Sequence, residues 1–103
     1  MARTIANTKD GIRRLNTKVW DDNGHFAVKL YATVVYDETR ETITLNNGGW
    51  VTPTTTSRIN QALAHRGFTE CGVFIKGGEM YFQRGANPAI AFKENKFVME
   101  RGA

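Results

Sequence analysis

The chain has little of what marks the common small-protein chemistries. Its 103 residues include one cysteine, Cys71, so no disulfide can close within it, and a lone thiol suits a reducing compartment. Only His25 and His65 could join Cys71 around a metal, which falls short of the four ligands of a structural zinc site. No apolar run approaches the ~20 residues of a membrane span, and no apolar stretch follows the first charges, so neither a span nor a secretory leader is expected. Repeats and low-complexity tracts are missing, and no glycine pair runs into the Gly-Lys-Ser/Thr ending of a P-loop. No catalytic set assembles either. His25 sits by a turn and His65 in a helical stretch, with no spacing that puts both on one phosphate. Asp21, Asp22, Asp37, Glu38 and Glu41 gather at turns, where carboxylates cap and solubilise more often than they bind metal. Cys71 follows no activating pattern. The chain reads as a non-enzyme, with no catalytic residue, metal or cofactor.

What is present describes one globular domain. Hydrophobic residues make up 41% and charged residues 23%, the balance of a chain that buries a modest core. The net charge of +4 is unevenly spread. Arg3, Lys9, Arg13, Arg14 and Lys18 face only Asp10 within the first 20 residues, and the remainder is balanced. Residues 1–15 therefore read as a basic N-terminal arm, and residues 16–103 as the domain. Such an arm meets phosphate or an acidic protein surface, or is simply a solvated end.

Alternation and turn residues predict strands at 17–20, 25–36, 41–45, 71–76 and 79–84, and a last hairpin pairing 89–92 with 97–100. Asn23-Gly24 is a type I′ hairpin signal, and Gly77-Gly78 a second tight turn. Within 25–36, Phe26, Val28, Leu30, Ala32, Val34 and Tyr36 share one face, taken as the core side. One helix is expected from about residue 55 to 66, with Ile59, Ala62, Leu63 and Arg66 on one stripe and Gly67 as its stop. The fold class is α+β: an antiparallel sheet with a single helix packed on one face.

Strand 41–45 reaches this helix through an unusual corner, Asn46-Asn47-Gly48-Gly49-Trp50-Val51-Thr52-Pro53-Thr54-Thr55-Thr56-Ser57-Arg58-Ile59-Asn60-Gln61. Two glycines, an indole, a proline and a hydroxyl-rich helix start make a rigid bend. The run resembles a motif of small bacteriophage proteins: Gly-Gly-Trp, x-Thr-x-Thr-Thr, then Arg-(Ile or Met)-Asn-Gln. The likeness extends over roughly residues 26–83. It implies a phage accessory protein made in the host bacterial cytoplasm and brings no activity with it.

The corner has the parts of an anion site. Gly48 and Gly49 can present N–H groups in a nest, Thr52, Thr54, Thr55, Thr56 and Ser57 bring hydroxyls near a helix N-terminus, and Arg58 brings a phosphate fork. Trp50, Tyr31 or Tyr81 could stack a base. The same hydroxyls would also cap the helix, with Trp50 in the core. The leading expectation is a ligand that bears phosphate, most of all nucleic acid, held by Gly48 to Arg58 and by the arm residues Arg3, Lys9, Arg13, Arg14 and Lys18. The alternatives are an inhibitor that docks on a host anti-phage defence complex, and a sponge for a signalling nucleotide. Exposed alternating aromatics on the last strands would favour a homodimer.

Overall fold

The computed structural model describes residues 11–100, so Arg3 and Lys9 of the arm lie outside the described residues. Among the described residues eight strands surround one helix: β1 (Thr17–Asp22), β2 (His25–Leu30), β3 (Thr33–Glu38), β4 (Thr42–Asn46), α1 (Pro53–His65), β5 (Cys71–Lys76), β6 (Glu79–Arg84), β7 (Ile90–Ala91) and β8 (Lys96–Glu100). The α+β class holds, with the strands divided between two antiparallel sheets ordered β1-β2-β3-β4-β8 and β5-β6-β7.

Asn23 and Gly24 take φ of 48° and 86°, the left-handed pair that a type I′ hairpin needs. The strand expected across residues 25–36 is instead a hairpin, turning at Tyr31 and Ala32. Tyr31 has φ 55°, and nothing in Leu30-Tyr31-Ala32-Thr33 carries glycine, asparagine or proline to announce the turn. A two-residue turn reverses the in–out phase of the pleat. The register shift opposite Val28/Lys29 then adds one residue, Val35, and restores it. Phe26, Val28, Leu30 and Tyr36 thus keep the parity of a continuous strand and are all buried, while Val34 is exposed and Val35 takes its place inside. The last hairpin is also corrected. β7 pairs with β6 and β8 with β4, and only a Lys93–Lys96 bridge joins the two segments. Phe97 of β8 stacks on Phe82 of the second sheet, centroids 4.2 Å apart, and so clasps the sheets together.

The helix begins two residues before its expected start. Thr52 is the N-cap, its hydroxyl accepting the Thr55 N–H, and Pro53 occupies the first turn where no N–H is needed. It stops as the sequence predicts: Gly67 has φ 91°, with Phe68 N–H donating to Leu63 O and Gly67 N–H to Ala64 O, the paired bonds of a Schellman cap. Ile59, Ala62 and Leu63 are fully buried in one core shared by the helix and both sheets. Burial of this kind stabilises by about 1.5–3 kcal/mol for each large apolar side chain. At its far end Arg66 makes a two-pronged pair with buried Glu38, at 2.9 and 3.2 Å, which Tyr36 also supports with its hydroxyl. The Glu38 hydrogen bond raises the Arg66 pKa and outweighs desolvation, which acts to lower it.

Four successive helix residues reach three different parts. Arg58 donates to Thr17 Oγ1 and Leu15 O, and Ile59 enters the core. Asn60 bonds both the N–H and C=O of Val73 on the edge of β5, and Gln61 accepts the Arg13 N–H. Ile12, within the stretch read as arm, is fully buried in the same core.

Candidate functional site

The corner closes on itself more tightly than its composition suggests. The Gly48 N–H donates to Asn46 Oδ1 at 2.9 Å, the Gly49 N–H to Asn47 Oδ1 at 2.8 Å, and the Trp50 N–H to Asn47 O at 2.8 Å. Both glycine amides are therefore occupied by the two preceding asparagines rather than turned to a visiting anion. Gly48 lies so close to β3 that a Cβ there would come within 2.7 Å of Thr33 Oγ1. The hydroxyls are divided in use. Thr52 and buried Thr55 face each other at 3.1 Å, Thr56 donates back to Pro53 O, and Ser57 accepts from Gln61. Thr54 alone of the corner hydroxyls is exposed and makes no hydrogen bond among the described residues.

Beside this bend, a cavity of about 530 Å³ opens between the corner and the β2–β3 hairpin. Leu30, Ala32 and Val35 form its aliphatic floor, and Tyr31, Trp50, Thr52, Thr54 and Thr55 are among its walls. Tyr31 is 68% exposed and Trp50 66% exposed. Asn16 fixes Tyr31 by donating from Nδ2 to its hydroxyl, and the Tyr31 N–H donates to Asn16 O. Of the residues singled out from the sequence, Trp50, Thr52, Thr54 and Thr55 meet at this cavity, while Gly48, Gly49, Thr56 and Ser57 support the bend behind it.

Arg58 is 4% exposed and points to the N-terminal segment. Burial is the main cause that lowers its pKa, and the charge of Arg13 adds to it. Among the described residues no carboxylate pairs with Arg58 or Arg13, whose two guanidinium charges act on one another. The Tyr31 phenol also lies within reach of this charge. Arg13, Arg14 and Lys18 are exposed on the same segment, Arg14 donating to Ile12 O and Lys18 standing opposite Lys29 across β1 and β2.

A family model described as Kyanoviridae Gp96 protein matches residues 1–101. The chain belongs to that family. It is thus a phage protein, as the motif resemblance implied, and among its described residues no helix is long and apolar enough to cross a membrane. Searches of curated proteins and of solved structures return no match. For this Gp96 family member the site must be read from its own geometry.

The remaining chemistry-bearing residues lie apart from the cavity. His25 Nε2 pairs with Asp37 Oδ1 at 2.5 Å on the exposed side of the large sheet, and His65 packs its ring 5.3 Å from Phe26. Cys71 accepts from Arg84 Nε at 3.3 Å. Tyr81, the third stacking candidate, is already stacked on Phe74. Among the described residues no cluster of three His, Cys, Asp or Glu could hold a metal. Leu30, Ala32, Thr33, Val35 and Asn47 line the cavity without having been marked in the sequence, because the turn that carries four of them to the corner had no residue signal.

Proposed function

We propose that this Gp96 protein is a non-enzymatic binding protein, and that its cavity takes a base of single-stranded nucleic acid with the phosphates lying toward the basic N-terminal segment. The observation that carries the reading is the pair Tyr31 and Trp50, each about two-thirds exposed, on the walls of one apolar cavity. Large aromatic faces left open to water beside an aliphatic floor suit a flat ring that both stacks and buries. Thr54 offers an uncommitted hydroxyl at the wall for a polar ring edge or a sugar. Arg13 and Arg58, uncompensated by a described carboxylate, favour a phosphate near Tyr31. The phosphate is then held by side-chain charge, since the glycine amides are already engaged.

The test is a titration of the full chain with fluorescent single-stranded oligonucleotides over a salt series. Binding is expected to weaken steeply with salt through counterion release. Trp50→Ala and Tyr31→Ala are each expected to lose about 1–3 kcal/mol, roughly a 5- to 150-fold drop in affinity. Equal affinity of both variants and the parent chain would sink the proposal. A nucleotide sponge would instead bind mononucleotides and raise the thermal midpoint with them.

The second reading, an inhibitor docked on a host defence complex, draws on the aliphatic floor. Leu30, Ala32 and Val35 would seat an apolar anchor side chain, the usual centre of a protein hot spot. It predicts no salt-sensitive oligonucleotide binding and a host protein partner lost on Trp50→Ala.

A further inference from the structure

We propose that the protein pairs with a second copy of itself through the free edge of β1, joining two five-stranded sheets into one antiparallel sheet across a two-fold axis at Trp20. β1 is an edge strand, and its only sheet neighbour among the described residues is β2. Its hydrogen-bonding phase follows from one contact. The Tyr31 N–H donates to Asn16 O at 2.8 Å, so Asn16 and Tyr31 form a bonded pair. Bonded pairs alternate along an antiparallel ladder. Lys18–Lys29, Trp20–Ala27 and Asp22–His25 are therefore the bonded pairs facing β2. The N–H and C=O groups of Val19 and Asp21 face away, and nothing among the described residues receives them. Such an open row is a template for another strand.

The sequence of β1 is complementary to itself in one register. Placing Trp20 opposite Trp20 of the second copy sets Lys18 opposite its Asp22, and Asp22 opposite its Lys18. Val19 and Asp21 then exchange the outward backbone bonds. In this register each residue meets one on the same face of its own sheet, so the two inner faces stay on one side. Among the described residues of one chain Lys18 makes no ion pair. It faces Lys29 directly, and like charges directly opposite are unfavourable. Trp20 is 44% exposed, which the second indole would cover. The other edge of the large sheet is less open. Both backbone groups of Lys96 on β8 are engaged by Lys93, and the edge of β5 is capped by Asn60.

The inference is independent of the proposed nucleic-acid site, because it is tested without ligand. Sedimentation of the full chain over a concentration series is expected to show a monomer–dimer equilibrium. Lys18→Asp and Asp22→Lys are each expected to weaken it roughly tenfold or more, since every dimer then holds two like-charged pairs. Lys18→Asp relieves the clash with Lys29, so a monomer in that variant is not an unfolded one. The double variant K18D/D22K restores both pairs and is expected to return to the dimer. Val19→Pro removes an outward N–H while leaving the ladder with β2 intact, and is expected to be monomeric and folded by circular dichroism. A parent chain that stays monomeric throughout overturns the proposal. So do single variants that dimerise like the parent, a double variant that fails to recover, or a dimer that Val98→Pro on β8 alone abolishes.

Discussion

Gly48 and Gly49 are adjacent, and each has its own reason to be glycine. Both have positive φ, 60° and 88°, but a Cβ on Gly49 meets open space while one on Gly48 runs into Thr33. Gly49→Ala is expected to cost about 1–2 kcal/mol from backbone strain alone. Gly48→Ala adds a clash with β3 and is expected to cost about 2–4 kcal/mol. Urea unfolding of the two variants checks the order, and equal costs would mean that the corner can lift off Thr33. Because Thr33 lines the cavity, the Gly48 variant is also expected to bind any cavity ligand less well. At this scale composition was a partial guide to the site. Trp50 and Thr54 were singled out and do stand at the cavity, yet the direction of Arg58 depends on Thr17, 41 residues away in sequence, which no local pattern encodes.

Among the elements, the helix is the part on which the others meet. Asn60 closes the edge of β5 with two bonds of 2.8 and 3.0 Å to Val73. Asn60→Ala strips both from a half-buried backbone and is expected to cost about 1–3 kcal/mol. Amide exchange is the sharper readout: the Val73 N–H and its neighbours in β5 are expected to lose protection before the large sheet does. Uniform loss across the chain would mean that the two sheets unfold as one unit. Elements with local signals were legible in the sequence. Asn23-Gly24 turned the first hairpin, Gly67 ended the helix, and Gly77-Gly78 separated β5 from β6, whereas the helix start at Pro53 lay two residues ahead of the expected one. The β2–β3 turn was not, because the extra residue Val35 restored the alternation that the turn had reversed. Half of the cavity was hidden with it. The partners of β7 and β8 were hidden for another reason: they are chosen by long-range contacts such as Phe82–Phe97, not by the loop between them.

For the molecule as a whole, the N-terminal segment has two separable contributions. Ile12 is fully buried, and Ile12→Ala is expected to cost about 2–5 kcal/mol, seen as a lower urea midpoint. Removing residues 1–10 takes away Arg3 and Lys9 but leaves Ile12 in place. That truncation is expected to weaken oligonucleotide binding and flatten its salt slope by ~1.4 if both cations meet phosphate. An unchanged slope would remove the arm from the binding surface. Arg58, Ile59, Asn60 and Gln61 meanwhile tie the N-terminal segment, the core, the β5 edge and the Arg13 backbone to one turn of helix. A viral lineage that alters any of the four loosens a seam, whereas positions 31, 50 and 54 can vary at little cost to the frame. In divergent Gp96 sequences, that quartet would accordingly mark shared architecture, and under the proposed function the other three positions would record a change of cargo.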